Sequence, residues 1–212
     1  MESTRICLVR HGETDWNAEK RIQGQIDIAL NSVGQRQAAA AARCLSRQPV
    51  TALYSSDLLR ARQTAERIAA ALDLSPTFVP EFRERAYGLF EGLTYDEARL
   101  RHPADYRAFA TRDPDYALPA GGESLRQCHQ RVIGRLRRLA AEHRGQSVVL
   151  VTHGGVLDLV NRFVRGHPLE LPRDFLIPNA GITWVLVKGD QWVLEVWGDT
   201  AHLSVGGLDE LP

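Results

Sequence analysis

Short apolar runs alternate along this chain with longer stretches in which apolar residues recur every three or four positions. The apolar runs are rich in Val, Leu and Ile and end at polar or turn residues, which is typical of strands. The run at 147–152 is apolar enough to be buried on both faces of a sheet. The last two runs flank Gly189-Asp190, which predicts a β-hairpin. The predicted strands are residues 5–9, 50–55, 77–79, 147–152, 182–188 and 192–197.

The longer stretches predict four helices, because their apolar residues fall on one face at helical spacing. Ser32, Asp57 and Ser124 are the expected N-caps of the first three, since their side chains can accept a hydrogen bond from the first helical turn. Residues 85–122 are the least regular part of the chain, with short helical pieces between Gly, Pro, Tyr and Arg. The predicted helices are residues 32–47, 57–72, a long helix from 124, and 155–165.

Strands that alternate with helices and end in a hairpin predict an α/β fold. We expect a mostly parallel central sheet with helices on both faces and a C-terminal β-hairpin. The 212 residues fit one domain, 1–212, because no linker or internal repeat divides them. The irregular segment at about 85–121 is expected to be an insertion into this domain. The residues after Leu203 are expected to form a frayed tail.

Composition and charge exclude several classes of partner. Lys and Arg number 26 and Asp and Glu number 26, so no net field attracts nucleic acid or an anionic membrane. The three cysteines include no Cys-x-x-Cys pair, which favours reduced thiols. The first predicted strand begins at residue 5, and no apolar stretch approaches the roughly 18 residues that a membrane span needs. A cytoplasmic location is therefore the expectation.

Two strands end in similar polar sequences. Arg10, His11 and Gly12 follow the first strand, and His153 and Gly154 follow the strand at 147–152. Open α/β sheets place their ligands at the carboxyl ends of their strands, so the two histidines are expected to share one pocket. Glycine after each histidine would let the backbone approach a ligand closely.

An arginine fork and two imidazoles suit a phosphoryl group, whose oxygens need charged donors while a nucleophile approaches in line. Cationic neighbours would also keep His11 neutral, with a ring-nitrogen lone pair available. A single histidine at a strand end is more often a structural polar residue than a catalyst. The second histidine at an equivalent position favours the functional interpretation.

At this point the sequence resembles the histidine phosphatase superfamily, the phosphoglycerate-mutase-like phosphatases with an Arg-His-Gly motif. The resemblance begins at residues 10–17 and runs in order to residues 199–203, so it covers essentially residues 5–203. Ordered motifs over that length are specific. They are Arg10 to Asn17, Gln23-Gly24, Leu30-Asn31, Tyr54 to Ala65, Phe82-Arg83-Glu84 with Gly88, Glu91 and Gly92, Gly121 to Ser124, Val151 to Gly155, Asn179, and Asp199 to Leu203.

The resemblance implies a phosphoglycerate-mutase-like fold and a role for each matching residue. His11 is implied to be the nucleophile that becomes a phosphohistidine, and Glu84 the acid that protonates the leaving alkoxide and then helps to activate water. Spacing alone favours a surface glutamate paired with Arg83 or Arg85, so the role of Glu84 rests on the resemblance. Arg62, on another helix face, reads as a solvated charge. The implied phosphate-binding residues are Arg10, Arg60, His153, Asn17, Gln23, Gly24 and Gly154.

Other phosphate chemistries leave signatures that this sequence lacks. It has no P-loop motif, no cysteine followed six positions later by arginine, no Gly-x-Ser-x-Gly elbow and no metal-ligand spacing. Asp113-Pro114-Asp115 is the one Asp-x-Asp sequence, and its proline favours a turn. We therefore expect a histidine acid-type phosphatase, a phosphoric monoester hydrolase that needs no metal and no cofactor.

Two alternatives remain open from the sequence. The first is a 2,3-bisphosphoglycerate-dependent phosphoglycerate mutase, because residues 84–88 resemble the mutase motif except that Ala86 replaces a histidine. The chain is shorter than typical mutases, which favours the phosphatase. The second is a catalytically silent module that binds a phosphorylated ligand. Residues 135–138, with three arginines, read as a solvated helix face rather than a nucleic-acid patch.

The expected partner is a small phosphorylated metabolite, and the protein is expected to be a monomer or a homodimer. The insertion at 85–121 should cap the substrate and set its identity. Its candidate cavity walls are Tyr87, Phe90, Tyr95, Tyr106 and Phe109, each of which also fits a core position.

Overall fold

The central sheet has six strands in the order β3-β2-β4-β1-β5-β6 in a computed structural model, which describes residues 2–204 of the protein. The first four strands in that order are parallel to one another. Strand β5 is antiparallel to β1, and β6 is antiparallel to β5. The predicted mostly parallel sheet and its terminal hairpin are confirmed. The strands are β1 (Thr4–Arg10), β2 (Ala52–Ser55), β3 (Pro76–Phe78), β4 (Ser147–Thr152), β5 (Ile182–Lys188) and β6 (Gln191–Asp199).

Helices cover both faces of this sheet, because the central strands carry apolar side chains on both faces and each face must be buried. Ile6 and Leu8 of β1 pack into one apolar cluster, whereas Cys7 and Val9 pack into the other. Helices α6 and α7 cover the first face, and α2 and α3 the second. The helices are α1 (Asp15–Ala18), α2 (Ser32–Leu45), α3 (Leu59–Leu72), α4 (Tyr95–Arg101), α5 (Pro103–Ala110), α6 (Leu125–Glu142), α7 (Gly154–Arg165) and α8 (Ala201–Ser204).

Two of the three predicted N-caps are wrong. Asn31, not Ser32, caps α2, and its Oδ1 accepts from Gly34 N at 2.8 Å. Helix α3 begins after Leu58 with no side-chain cap. Asp57 instead forms a two-pronged pair with Arg83, at 2.7 and 2.5 Å. Sequence reasoning identified residues that are able to cap a helix, but the carboxylate of Asp57 is used in the pair with Arg83 instead.

The third cap is confirmed. Ser124 Oγ accepts from Gln127 N at 3.1 Å, and the Gln127 side chain accepts from Ser124 N at 2.8 Å. This reciprocal capping box starts α6, the longest helix.

The insertion builds a small core of its own. It comprises a 3₁₀ turn at Gly88–Phe90, helix α4 and helix α5. Phe90, which is fully buried, packs there with Ala98, Leu118 and Ile22. Within residues 2–204, no helix is long and apolar enough to cross a membrane. The tail predicted after Leu203 lies from residue 205 onward outside the described residues.

The parallel pairing of β1 and β4 positions the functional residues. The two strands align in register from Arg5 opposite Ser147 to Arg10 opposite Thr152. The residue after each strand is a histidine, so the register places His11 and His153 side by side. Their ring centroids are 5.2 Å apart.

Candidate active site

A cavity of about 600 Å³ opens at the carboxyl ends of β1 and β4. Every site residue predicted from the sequence lines it except His153, which is fully buried beside His11. The predicted residues that line the cavity are Arg10, His11, Asn17, Gln23, Gly24, Arg60, Glu84 and Gly154.

The ring of His11 is held in one tautomer. Its Nδ1 lies 2.7 Å from the carbonyl oxygen of Gly12, and a carbonyl can only accept. Nδ1 therefore carries the proton, and Nε2 keeps a lone pair. Burial lowers the pKa of His11 well below its ordinary value, and the cations Arg60 and Arg10 lower it further. The side chain is therefore neutral, with a lone pair on Nε2.

Arg60 is buried and Arg10 is partly buried, and backbone carbonyls anchor both. Arg60 donates from Nη2 to Gly24 O at 2.7 Å and from Nη1 to Ile26 O at 2.9 Å, while Arg10 Nη1 donates to Ile177 O. The Nε atoms of Arg10 and Arg60 are buried and have no hydrogen-bond partner among the described residues. Burial lowers the pKa of Arg60 to about 10, so the guanidinium is charged at neutral pH. Both arginines retain an unused donor for an anion.

His153 is oriented by Ser56, a residue to which the sequence analysis assigned no role. Ser56 Oγ lies 2.8 Å from His153 Nε2 and accepts from Leu58 N at 3.3 Å. A hydroxyl can donate one hydrogen while it accepts another, so Ser56 Oγ can donate to Nε2 of the His153 tautomer that is protonated on Nδ1. That tautomer leaves Nδ1–H as a donor, and Nδ1 is buried without a partner within the described chain.

Asn17 and Gln23 add polar groups near His11. The Oδ1 of Asn17 accepts from Thr14 N at 3.1 Å in a capping box and from Asn179 Nδ2 at 3.3 Å. Because Oδ1 of Asn17 faces these two donors, Nδ2 of Asn17 points away from Thr14 N and Asn179 Nδ2. Gln23 is 8% exposed, and its Oε1 has no partner among residues 2–204. Asn179 also donates to His11 O at 3.0 Å, which fixes the backbone at His11.

Glu84 is not a surface glutamate. It is 9% exposed, and its two carboxyl oxygens accept backbone hydrogen bonds from Arg85 N at 2.8 Å and Gly155 N at 2.9 Å. Arg83 pairs with Asp57, and the Arg85 side chain donates to Glu123 O. The alternative pairing of Glu84 with a neighbouring arginine side chain is therefore wrong. The carboxyl group lines the cavity.

A family model describing the histidine phosphatase superfamily (branch 1) matches residues 6–200. The chain belongs to the histidine phosphatase superfamily.

Relatives of this histidine phosphatase carry both phosphatase and mutase-like names. It is 41% identical over 210 residues to the metal-independent phosphoserine phosphatase of Arabidopsis thaliana, covering 98% of this chain and 86% of the relative. It is 39% identical to phosphoglycerate mutase-like protein 4 of Arabidopsis thaliana, covering 98% and 90%. Among solved structures, a phosphoserine phosphatase of Entamoeba histolytica in complex with 3-phosphoglyceric acid has a TM-score of 0.85, with 28% identity and 94% and 99% coverage.

Gly12 serves packing within the protein, which corrects the expectation that it admits a ligand, whereas Gly154 lines the cavity. A Cβ on Gly12 would overlap the backbone carbonyl of Gly34. A Cβ on Gly154 would make an ordinary contact with Arg10 Nε at 3.6 Å, and one on Gly155 would overlap the Glu84 carboxyl group. Gly12 therefore lets α2 approach His11, and Gly155 lets the Glu84 carboxyl group approach the start of α7.

The insertion supplies only part of the cavity wall that the sequence suggested. Tyr87, Tyr95 and Phe109 line the cavity, whereas Phe90 and Tyr106 belong to the insertion's own core. Sequence spacing could not separate wall from core, because both kinds of position are aromatic. Sequence reasoning did not assign a cavity role to Arg21, Asp158, Pro172, Arg173, Leu176 or Ile177, which also line the cavity.

We expect the His11 imidazole to remain neutral as the pH falls from about 8 to about 5.5, through the range in which an ordinary histidine takes up its proton. Burial and two cations disfavour the imidazolium, so protonation is displaced to lower pH. The measurement is an NMR titration of the imidazole carbons, with the His11 signal assigned by its loss in H11Q. A midpoint near 6.5 for that signal would contradict the expectation.

Proposed function

We propose that this protein is a phosphomonoester phosphatase that transfers the phosphoryl group of a small metabolite first to His11 and then to water. One observation carries the proposal. Around the neutral His11, three buried nitrogens (Arg10 Nε, Arg60 Nε and His153 Nδ1) have no partner within residues 2–204. Unpaired buried polar groups are costly, so a site built with several of them is suited to a ligand that satisfies them. A phosphoryl group offers the required acceptor oxygens.

In the first half-reaction, the Nε2 lone pair of His11 attacks phosphorus, and the ester P–O bond breaks. The arginines and His153 compensate the charge that spreads over the phosphoryl oxygens. The leaving alkoxide takes a proton from the Glu84 carboxyl group and departs as an alcohol. The products of this step are a phosphohistidine and a Glu84 carboxylate.

In the second half-reaction, the Glu84 carboxylate removes a proton from water, and the water oxygen attacks the phosphohistidine. The N–P bond breaks, which releases inorganic phosphate and restores neutral His11 and protonated Glu84. Gly155 N and Arg85 N keep the carboxyl group in place for both steps. The cycle is balanced without a metal or a cofactor, and we propose that none is required.

Access for water favours hydrolysis over mutase chemistry. A mutase must keep its phosphoenzyme from water until a phosphoacceptor returns. Here Leu176 and Tyr95 line the cavity although 82% and 48% of their surfaces are exposed. The cavity mouth is thus bordered by solvent-exposed side chains, and water can reach the phosphoenzyme.

The charge of the cavity favours a substrate with a second anionic group. Six arginines and two carboxylates line it, and Arg173 forms no ion pair with another described residue. A phosphate dianion alone does not balance this excess. Phosphoserine and 3-phosphoglycerate, named for the relatives above, each carry a carboxylate in addition to the phosphate. We propose phosphorylated carboxylic acids of this size as the substrates.

We further propose that residues 1–212 act as one catalytic domain in which the insertion at 85–121 covers the leaving group. The placement of Tyr87, Tyr95 and Phe109 in the cavity wall supports this arrangement. A monomer or homodimer in the cytoplasm stays a prediction.

Phosphate release from a panel of phosphomonoesters tests the proposed function. We expect turnover of phosphoserine and 3-phosphoglycerate with no added metal, and the same rate in excess EDTA, because arginines supply the positive charge that Mg²⁺ supplies in other enzymes. The rate of 3-phosphoglycerate isomerisation with its bisphosphate is measured in parallel. Isomerisation much faster than phosphate release would contradict the phosphatase, and activity lost in EDTA and restored by Mg²⁺ would contradict metal independence.

A further inference from the structure

The backbone that carries Glu84 has no helix or strand to hold it. The 3₁₀ turn Pro80–Phe82 ends just before it, and the turn Gly88–Phe90 begins after it. Residues 83–87 between the two turns lie outside regular secondary structure. A general acid must keep its carboxyl group within hydrogen-bond reach of the leaving oxygen, and small displacements are costly. Side chains must therefore fix this segment.

Arg131 of α6 binds this segment from one side through its guanidinium group. Its Nη1 donates to Glu81 O at 2.8 Å and to Arg83 O at 3.0 Å, and its Nη2 lies 3.4 Å from Glu84 O. One guanidinium thus contacts three backbone carbonyls between residues 81 and 84, and the last of them belongs to Glu84. A guanidinium has five donors in a planar fork and can bind these carbonyls and a carboxylate together, whereas an ammonium group has only three donors.

Glu123, in the Gly-Gly-Glu-Ser stretch before α6, binds the same segment from the other side. Its Oε2 accepts from Ala86 N at 3.0 Å, and its backbone carbonyl accepts from Arg85 Nε at 2.9 Å. The carboxylate also forms a two-pronged pair with Arg131, at 2.8 and 2.7 Å. The pair therefore contacts residues on both sides of Glu84, and each partner orients the other.

We propose that Arg131 and Glu123 are positioning residues for the general acid Glu84. They do not touch the cavity, and they act by holding the backbone from residue 81 to residue 86. The inference rests on the proposed role of Glu84 and assigns a function to a sequence motif that the phosphate site leaves unused. It follows that disturbing the pair should impair proton donation selectively and leave the attack of His11 intact.

The test compares R131Q with the wild-type enzyme on phosphoserine and on p-nitrophenyl phosphate. Nitrophenolate leaves without a proton, so the first half-reaction with p-nitrophenyl phosphate does not need the acid Glu84. We therefore compare kcat/KM, which reports the steps up to departure of the leaving group and not the later attack of water. We expect kcat/KM on phosphoserine to fall by about 10- to 100-fold with R131Q, and kcat/KM on p-nitrophenyl phosphate by less than about threefold. R131K should give an intermediate loss on phosphoserine. R135Q, on the next turn of α6 where Arg135 pairs with Glu142 at 3.3 Å, is the matched control and should change neither rate.

A double variant separates positioning from general damage to the fold. In an E84Q background, R131Q should cause no further loss on phosphoserine, because both changes remove the same proton transfer. Additive losses, or equal losses on the two substrates with R131Q alone, would overturn the positioning role. If R131Q does not fold, as judged by its thermal midpoint, E123Q is measured by the same criteria.

The two proposals fail in different ways. If E84Q loses the same factor on both substrates, the acid role of Glu84 is wrong. If E84Q is selective for phosphoserine but R131Q and E123Q are not, only the positioning role is wrong.

Discussion

H11A is expected to lower phosphate release by about 10⁴-fold or more on every phosphomonoester, because it removes the side chain that we propose as the nucleophile. The neighbouring donors would still bind the phosphoryl group, so KM should change far less than kcat. Arg10 and Arg60 keep their anchors to Ile177, Gly24 and Ile26 in this variant. The effect is therefore one on chemistry rather than on binding.

The covalent intermediate gives a second measurement of the same prediction. Wild-type enzyme mixed with ³²P-labelled substrate and quenched in alkali should carry label that is lost on acid treatment, as expected of a phosphohistidine. H11A should carry none, and H129A, a change on α6 outside the cavity, should label like the wild type. Label that persists in H11A would refute His11 as the phosphoryl carrier.

E84Q is expected to lower kcat/KM, which reports the first half-reaction, by about 10²- to 10³-fold on phosphoserine and by less than about tenfold on p-nitrophenyl phosphate. The amide retains the size of the side chain but cannot deliver a proton. One of its ends is also a donor that faces either Arg85 N or Gly155 N, so some local disturbance follows. That disturbance acts on both substrates, whereas proton donation matters only for the poor leaving group. The difference between substrates therefore isolates the acid role.

A series of aryl and alkyl phosphates extends this measurement. The logarithm of kcat/KM plotted against the leaving-group pKa should be steeper for E84Q than for the wild type, because the variant no longer neutralises the leaving oxygen. Parallel lines would count against Glu84 as the acid. A control at Glu142, whose carboxylate pairs with Arg135 on the surface of α6, should leave the slope unchanged when it is changed to Gln.

Periodicity identified the elements of the fold because each central strand must bury side chains on both faces. Ile6 and Leu8 face one cluster and Cys7 and Val9 the other, and that continuous apolar run is visible in the sequence. Caps were less predictable. Asp57 is a suitable cap by type, but its carboxylate pairs with Arg83, 26 positions later in the chain. Local propensity was overridden by a tertiary contact.

Some features of the candidate site were likewise predictable from the sequence, whereas others depend on tertiary contacts. The His-Gly pairs at two strand ends predicted neighbouring histidines, and the parallel register of β1 and β4 brings them to 5.2 Å. The resemblance assigned Glu84, which spacing alone would have placed at the surface. Only the fold shows that Gly155 N and Arg85 N bind its carboxyl oxygens.

The sequence by itself determined the order of the strands and of the four longest helices, the family, and the residues whose chemistry suits phosphoryl transfer. Those properties follow from side-chain type and from spacing along the chain. Only the tertiary structure decided which groups are left without partners, and it showed Ser56 behind His153 and Arg131 behind Glu84. Hydrogen bonding and desolvation depend on neighbours that are distant in sequence, so no local pattern encodes them.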